Sequence, residues 1–113
     1  MNRSRNGLVC SDDKSRFDIA TVHGWIASSY WARNIPRAVF ERAISGSDCF
    51  GVYNGERQIA FARVVTDRAT FAYLCDVIVD ETVRGRGVGA WLMECIHAHE
   101  AYQDLRRWML ATR

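Results

Sequence analysis

The sequence predicts an α/β (α+β) fold in which one mixed, mostly antiparallel central sheet is flanked by helices. Three observations carry that prediction. Apolar residues recur at helical spacing in two early segments, switch to extended patterns after Cys49, and return to helical spacing after Gly87. The run Phe71 to Val79 is apolar on both faces in its middle, at Leu74, Cys75, Val77, Ile78 and Val79, with Asp76 as the exception. That is the pattern of a strand inside a sheet. The hexapeptide Arg84-Gly85-Arg86-Gly87-Val88-Gly89 then joins this strand to a helix, and a further strand beyond the helix requires a crossover and a parallel neighbour.

Taken in order, Gly7 to Ser11 reads as a short first strand, ended by the polar break Ser11-Asp12-Asp13-Lys14-Ser15. Asp18 is placed to cap a helix whose apolar residues Ile19, Val22, Trp25 and Ile26 share one face. Polar and aromatic residues from Ser28 to Asn34 connect it to a second helix. Pro36 fits the first position of that helix, Val39, Phe40, Ala43 and Ile44 form its apolar face, and Gly46 stops it. Cys49 to Tyr53 and Gln58 to Thr66 flank Asn54-Gly55, a hairpin signal, and Asp67-Arg68 marks the turn before Phe71 to Val79. Past the glycines, Val88, Trp91, Leu92, Cys95, Ile96, His99 and Tyr102 make one broad helical stripe, and Leu105 to Ala111 reads as the last strand. No repeat, linker or low-complexity segment interrupts residues 1–113, which are expected to form a single domain.

At 113 residues and 49% hydrophobic, the chain supports one core. Its net charge of +2, with no basic run longer than Arg106-Arg107, argues against a nucleic-acid or membrane-surface partner and in favour of a small molecule. Met1-Asn2-Arg3-Ser4-Arg5 is followed by no apolar segment, and nothing approaches the ~20 apolar residues of a membrane span, so a cytoplasmic location is expected. Cys10, Cys49, Cys75 and Cys95 form no close pair and read as small buried hydrophobes rather than as disulfide partners or metal ligands. His97 and His99, two apart on the predicted helix, point to different faces, and no metal is expected.

The glycine hexapeptide has a direct electrostatic reading. The first N–H groups of a helix have no intrahelical partners, and the macrodipole adds partial positive charge there, together worth about 0.3 to 1 kcal/mol per neighbouring negative charge. A diphosphate fits such a place, and Arg84 and Arg86 add mobile charge. A P-loop would need Lys-Ser or Lys-Thr after the glycines, which is absent. A dinucleotide-binding turn would need another glycine spacing and an acidic residue after a following strand. The bland alternative is a plain strand-to-helix turn whose glycines provide flexibility.

In order and wording, the hexapeptide resembles the Q/R-x-x-G-x-G/A signature of the GNAT superfamily of N-acetyltransferases. The flanks agree: Leu74 to Glu81 before the signature and Trp91-Leu92-Met93 after it look like the family's strand and helix, and Phe61 to Asp67 resembles its preceding strand. The resemblance runs from about Gly7 to Thr112. It implies acetyl-coenzyme A as cosubstrate, with its pyrophosphate on the backbone of Gly85, Arg86, Gly87, Val88, Gly89 and Ala90 beside Arg84. The pantetheine arm would bond main-chain groups of Val77, Ile78 and Val79, where the central strand splays from the last one.

The implied reaction is attack of a primary amine, on a small molecule or peptide, on the thioester carbonyl. An alkyl ammonium near pKa ~10.4 costs roughly 4.6 kcal/mol to deprotonate at pH 7, so a base or water relay is useful. Asp76 is the first candidate, with Glu81 and Tyr73 behind it, and Asp76 bonded to backbone or to an arginine is the equal alternative. An N–H near Val77 or Ile78 would stabilise the oxyanion. The resemblance places the acceptor near Ser28 to Asn34, where Trp25, Tyr30 and Trp31 offer apolar walls and Arg33 a charge. Aromatics at this density are more often core or lid than recognition elements.

Family members continue past the last strand into a helix and a closing strand pair, and that helix commonly carries a tyrosine that protonates the leaving thiolate. Residues 1–113 are expected to lack these elements, so neither Tyr73 nor Tyr102 takes the acid role by motif. The Leu105 to Ala111 strand would then be an edge, either covered by a second copy in a homodimer or left open in a shortened, marginally stable member. Two functions follow: an active amine acetyltransferase, or a non-catalytic acetyl-coenzyme A binding or dimerising module of the same fold.

Overall fold

The structure, a computed structural model, describes residues 1–110. Its elements are β1 (Asn2–Arg5), β2 (Leu8–Ser11), α1 (Ile19–Ala27), α2 (Arg37–Ser45), β3 (Asp48–Asn54), β4 (Arg57–Thr66), β5 (Phe71–Val79), α3 (Val88–His97) and β6 (Arg107–Leu110). The strands form one six-stranded sheet in the order β1-β2-β3-β4-β5-β6, antiparallel throughout except for the parallel pair β5 and β6. This is the expected mixed sheet with its crossover through α3. Of the anticipated last strand, Arg107–Leu110 is formed and Ala111 lies outside the described residues.

Helices cover both faces of the sheet and give two cores. On one face Val88, Trp91, Leu92, Cys95 and Ile96 of α3 pack on Cys10, Phe50, Val52, Ala60, Ala62 and Leu74. On the other, Val22 and Ile26 of α1 and Phe40 and Ile44 of α2 pack on Cys49, Tyr53 and Phe61. The alternation of β3 and β4 supplies both, since successive side chains of a strand point to opposite faces.

Local chemistry sets the element ends. The Asp18 carboxylate accepts from the Thr21 N–H at 3.2 Å and starts α1, a cap worth about 1 kcal/mol. Pro36, anticipated as the first helical residue of α2, is instead its extended cap at φ −62°, ψ 142°. A ring that has no N–H loses nothing at either position.

Two further differences have plain causes. The structure adds β1, whose residues are all exposed and carry no apolar alternation. It exists because Asn6-Gly7, at φ 52° and 81°, forms a tight hairpin turn that returns the chain along β2. The α3 helix stops at His97 rather than carrying the stripe through Tyr102. His99 lies beyond it and caps a short turn, its Nδ1 accepting the Ala101 N–H at 3.1 Å, while Gln103 donates to the carbonyls of His97 and His99. His99 and Tyr102 are still buried on the α3 face, placed there by the turn.

Candidate functional site

The loop between β5 and α3 is shaped by two left-handed residues. Gly85 and Gly87 stand at φ 80° and 79°, a region that side-chain-bearing residues enter at a cost of about 1–2 kcal/mol. Neither would meet any atom within 4 Å if a Cβ were added, so both face open space. Gly89 is different: it lacks positive φ, and a Cβ there would touch Val79 Cγ2 at an ordinary 3.5 Å. Gly87 is the N-cap of α3 and has no side chain to bond the first-turn amides. The N–H groups of Val88, Gly89 and Ala90 therefore lie at a helix start free of a side-chain cap.

The loop is held from behind. Asp80 donates its N–H to the Ile59 carbonyl at 2.9 Å and receives Arg57 at 2.9 Å, while its carboxylate caps the short turn Glu81–Val83 through Thr82. Arg84, selected from the sequence for its mobile charge, donates Nε to the Val79 carbonyl at 3.0 Å. Arg86 is exposed.

On β5 the decisive feature is a bulge. Leu74 pairs with Val64 and Asp76 with Arg63, so Cys75 is an extra residue with no opposite number. Bulges of this kind re-aim side chains. Ala72 and Leu74 face α3, and so do Val77 and Val79, whereas Asp76 and Ile78 face α1 and α2. Were β5 to alternate regularly through Cys75, the Asp76 carboxylate would share a face with Leu74.

Asp76 is 5% exposed and doubly held. Arg63 Nε donates to Oδ2 at 2.7 Å, and Trp31 Nε1 donates to Oδ1, also at 2.7 Å. Arg63 in turn donates Nη1 to Ser47 Oγ at 3.0 Å. Burial works against the guanidinium's charge, but the bond to Asp76 and that group's negative charge outweigh it and raise the Arg63 pKa. The carboxylate bonded to an arginine, one of the two sequence-based alternatives for Asp76, is thus the geometry present.

Two cavities meet beside this pair. The larger, about 870 Å³, runs from Trp25 and Ser28 past Val77, Ile78 and Val79 to Glu81 and Arg84, one residue short of the glycine loop. The smaller, about 490 Å³, is lined by Ile26, Ile35, Phe40, Arg63, Tyr73 and Asp76 among others. Tyr30, Trp31 and Val77 line both and form the partition. Of the sequence-selected residues, Asp76 and Tyr73 reach the smaller cavity, Glu81 and Trp25 the larger, and Arg33 is exposed outside both linings. Val77, Ile78 and Val79 extend past Leu74, the last residue of β5 paired with β6 among the described residues.

Sequence reasoning passed over Arg63 and Ser47. A signal for Arg63 existed, since it is the one charged residue in the otherwise apolar run Ile59 to Val65. Ser47 gave none. Among the described residues no group of three or more potential metal ligands is assembled, and no helix is long and apolar enough to cross a membrane.

Comparison with known proteins agrees with this geometry. A family model described as the acetyltransferase (GNAT) domain matches residues 45–113. A crystal structure from Xanthomonas campestris pv. campestris, provisionally assigned as a GNAT-family acetyltransferase, is 45% identical with a TM-score of 0.93, covering 97% of this chain and 78% of that one. A Gibberella zeae protein, also provisionally assigned as an acetyltransferase, is 28% identical over 98% of this chain and 75% of its own. The ribosomal-protein-S18-alanine N-acetyltransferase of Escherichia coli shares the fold at a TM-score of 0.63 and 19% identity, over 79% of this chain and 56% of that one.

Proposed function

The chain belongs to the GNAT acetyltransferase family, and from that premise we propose that it transfers an acetyl group from acetyl-coenzyme A to a primary amine of a small molecule or peptide. The observation that carries this reading is the loop: Gly85 and Gly87 are left-handed, face open space, and lead into a helix start without a side-chain cap. A diphosphate is the anion such a cradle fits, because no Cβ holds it away from the amides. The larger cavity, running from the loop's edge along Val79, Ile78 and Val77 to Trp31, suits an extended arm reaching the Asp76 region.

Acetyl-coenzyme A supplies an activated acyl group. The acceptor nitrogen forms the new C–N bond, the C–S bond breaks, and the ammonium's proton and the thiolate exchange with water, so an ammonium and a thioester give an amide, a thiol and a proton. In this reading Asp76 orients the amine and Arg63 holds Asp76. Glu81, exposed at the mouth of the larger cavity, is the residue open to water for a proton relay.

A second reading rests on one observation: both oxygens of Asp76 are already bonded, by Arg63 and Trp31, which suits a module that binds acetyl-coenzyme A without turnover. Calorimetry with acetyl-coenzyme A, followed by thiol release across a panel of amines, separates the two. Heat with turnover supports the enzyme, heat without turnover supports the module, and no heat removes both.

The same reading takes a cytoplasmic setting, where the thiols of Cys10, Cys49, Cys75 and Cys95 stay reduced. It also takes a second copy against β6, where Met109 and Leu110 are 45% and 65% exposed. Light scattering that finds only monomer at high concentration removes the homodimer.

A further inference from the structure

The two oxygens of Asp76 are held very unequally. Oδ2 is bonded by Arg63, a residue of β4 directly opposite in the strand register and itself tied to Ser47. Oδ1 is bonded by Trp31, which stands on a connecting segment and is 43% exposed. That segment is anchored on either side of its apex: Asn34 donates its N–H to the Ala27 carbonyl at 2.9 Å, and His23 Nε2 lies 2.8 Å from the Ile35 carbonyl. The apex carrying Tyr30 and Trp31 projects between the two cavities. One oxygen is therefore fixed by the sheet, and the other is covered by an indole on a loop. An indole presents a single N–H donor, which is what an amine would present to the same oxygen.

We propose that Trp31 is an exchangeable plug: the acceptor's amine replaces its Nε1 on Asp76 Oδ1, and the acceptor is a primary amine on an apolar body with no second charge. This rests on the acetyl-transfer reading for its consequence, though not for its test.

The acceptor class follows from the walls of the smaller cavity. Its volume, about 490 Å³, is that of a small-molecule site. Ile26, Ile35, Phe40 and Ala43 make it apolar, and among the described residues Asp76 and Arg63 are its one carboxylate and one guanidinium. These two already neutralise each other at 2.7 Å. A second ammonium on the ligand would lie buried near Arg63 without a counter-charge, which is costly. A carboxylate next to the amine would be pressed against Asp76. Arg63 has a further effect: its positive charge on Oδ2 offsets part of the stabilisation that the Asp76 carboxylate gives the ammonium form of an amine bound at Oδ1.

The test needs no acetyl-coenzyme A. The indole N–H resonance of Trp31, identified by its loss in Trp31→Phe, is followed by NMR while phenethylamine, phenylalanine or spermidine is added to the intact chain. Phenethylamine is expected to bind and to shift the Trp31 resonance, and the other two to bind at least about tenfold more weakly. Trp31→Phe keeps an aromatic wall and removes the competing donor, so its affinity for phenethylamine should rise about three- to tenfold, the worth of one hydrogen bond. A residue that merely shaped the wall would give no gain. Failure of phenethylamine to bind, binding that leaves the Trp31 resonance in place, unchanged or weaker binding by Trp31→Phe, or equal binding of spermidine or phenylalanine would each overturn the proposal. Absence of acetyl-coenzyme A binding in the separate calorimetric experiment would instead overturn the acetyl-transfer reading.

Discussion

Arg63 and Asp76 face each other across β4 and β5 with Nε 2.7 Å from Oδ2, both largely withdrawn from water at 19% and 7% side-chain exposure. Neither charge would be tolerated in that place alone. The pair is expected to behave as a unit that costs little when intact and much when halved.

Replacing Arg63 by Met leaves Asp76 as a buried charge with Trp31 as its sole remaining donor. Unfolding free energy should fall by about 3–5 kcal/mol, measured by urea denaturation. Removing both partners, as Arg63→Met with Asp76→Leu, should recover most of that loss. A double variant as unstable as the single one would show that the pair is not coupled.

The loop glycines should separate by role. Gly87→Ala should cost about 1–2 kcal/mol because of its left-handed backbone, whereas Gly89→Ala should leave stability unchanged or raise it by up to about 1 kcal/mol. Gly87→Glu should fold and lose coenzyme A binding through bulk and like charge. Near-normal affinity of that variant by calorimetry would refute the placement of the diphosphate.

Gly51 is required by packing rather than by backbone conformation. A Cβ there would stand 2.5 Å from Tyr53 Oη and 2.8 Å from Cζ, inside the core on the α1 and α2 face. Gly51→Ala should therefore cost about 1–3 kcal/mol. Tyr53 Oη has no hydrogen-bond partner among the described residues, so Tyr53→Phe should be neutral or stabilising and should relieve part of the Gly51→Ala loss. Equal costs in the two backgrounds would contradict this contact.

Asp48 should contribute to the acid limb of stability. Burial alone would raise its pKa, but Arg68, bonded at 2.8 and 2.9 Å, and the Tyr102 hydroxyl overcome burial and lower it. A carboxylate whose folded pKa is depressed contributes stability above its unfolded pKa near ~4, and that contribution is lost as pH falls through the lower folded value. Melting temperature should thus decline below about pH 4, with Asp67 adding to the decline through its bonds from Ala69, Thr70 and Phe71. Asp48→Asn should be less stable at pH 7 and show a shallower acid decline. An unchanged slope would assign the limb to other groups.

The sequence by itself determined the parts that depend on neighbours in the chain. Period and punctuation fixed β5 as Phe71–Val79, the Asp18 cap of α1, the Gly46 stop of α2 and the glycine loop, because side-chain alternation, capping bonds and positive φ are local matters. They also sufficed to mark Asp76 as unusual. The tertiary structure alone decided what surrounds it. Only the register of β4 against β5 makes Arg63 its partner, and only the bulge at Cys75 turns it toward α1 and α2. Trp31 covers its second oxygen because α1 packs so as to bring residues 28–35 over β5. The hairpin of β1 has no apolar alternation to announce it and follows from the Asn6-Gly7 turn. His99 and Tyr102 continue the helical stripe in sequence, but bonds to Asp12 and Asp48, far away in the chain, go with a separate turn rather than with α3.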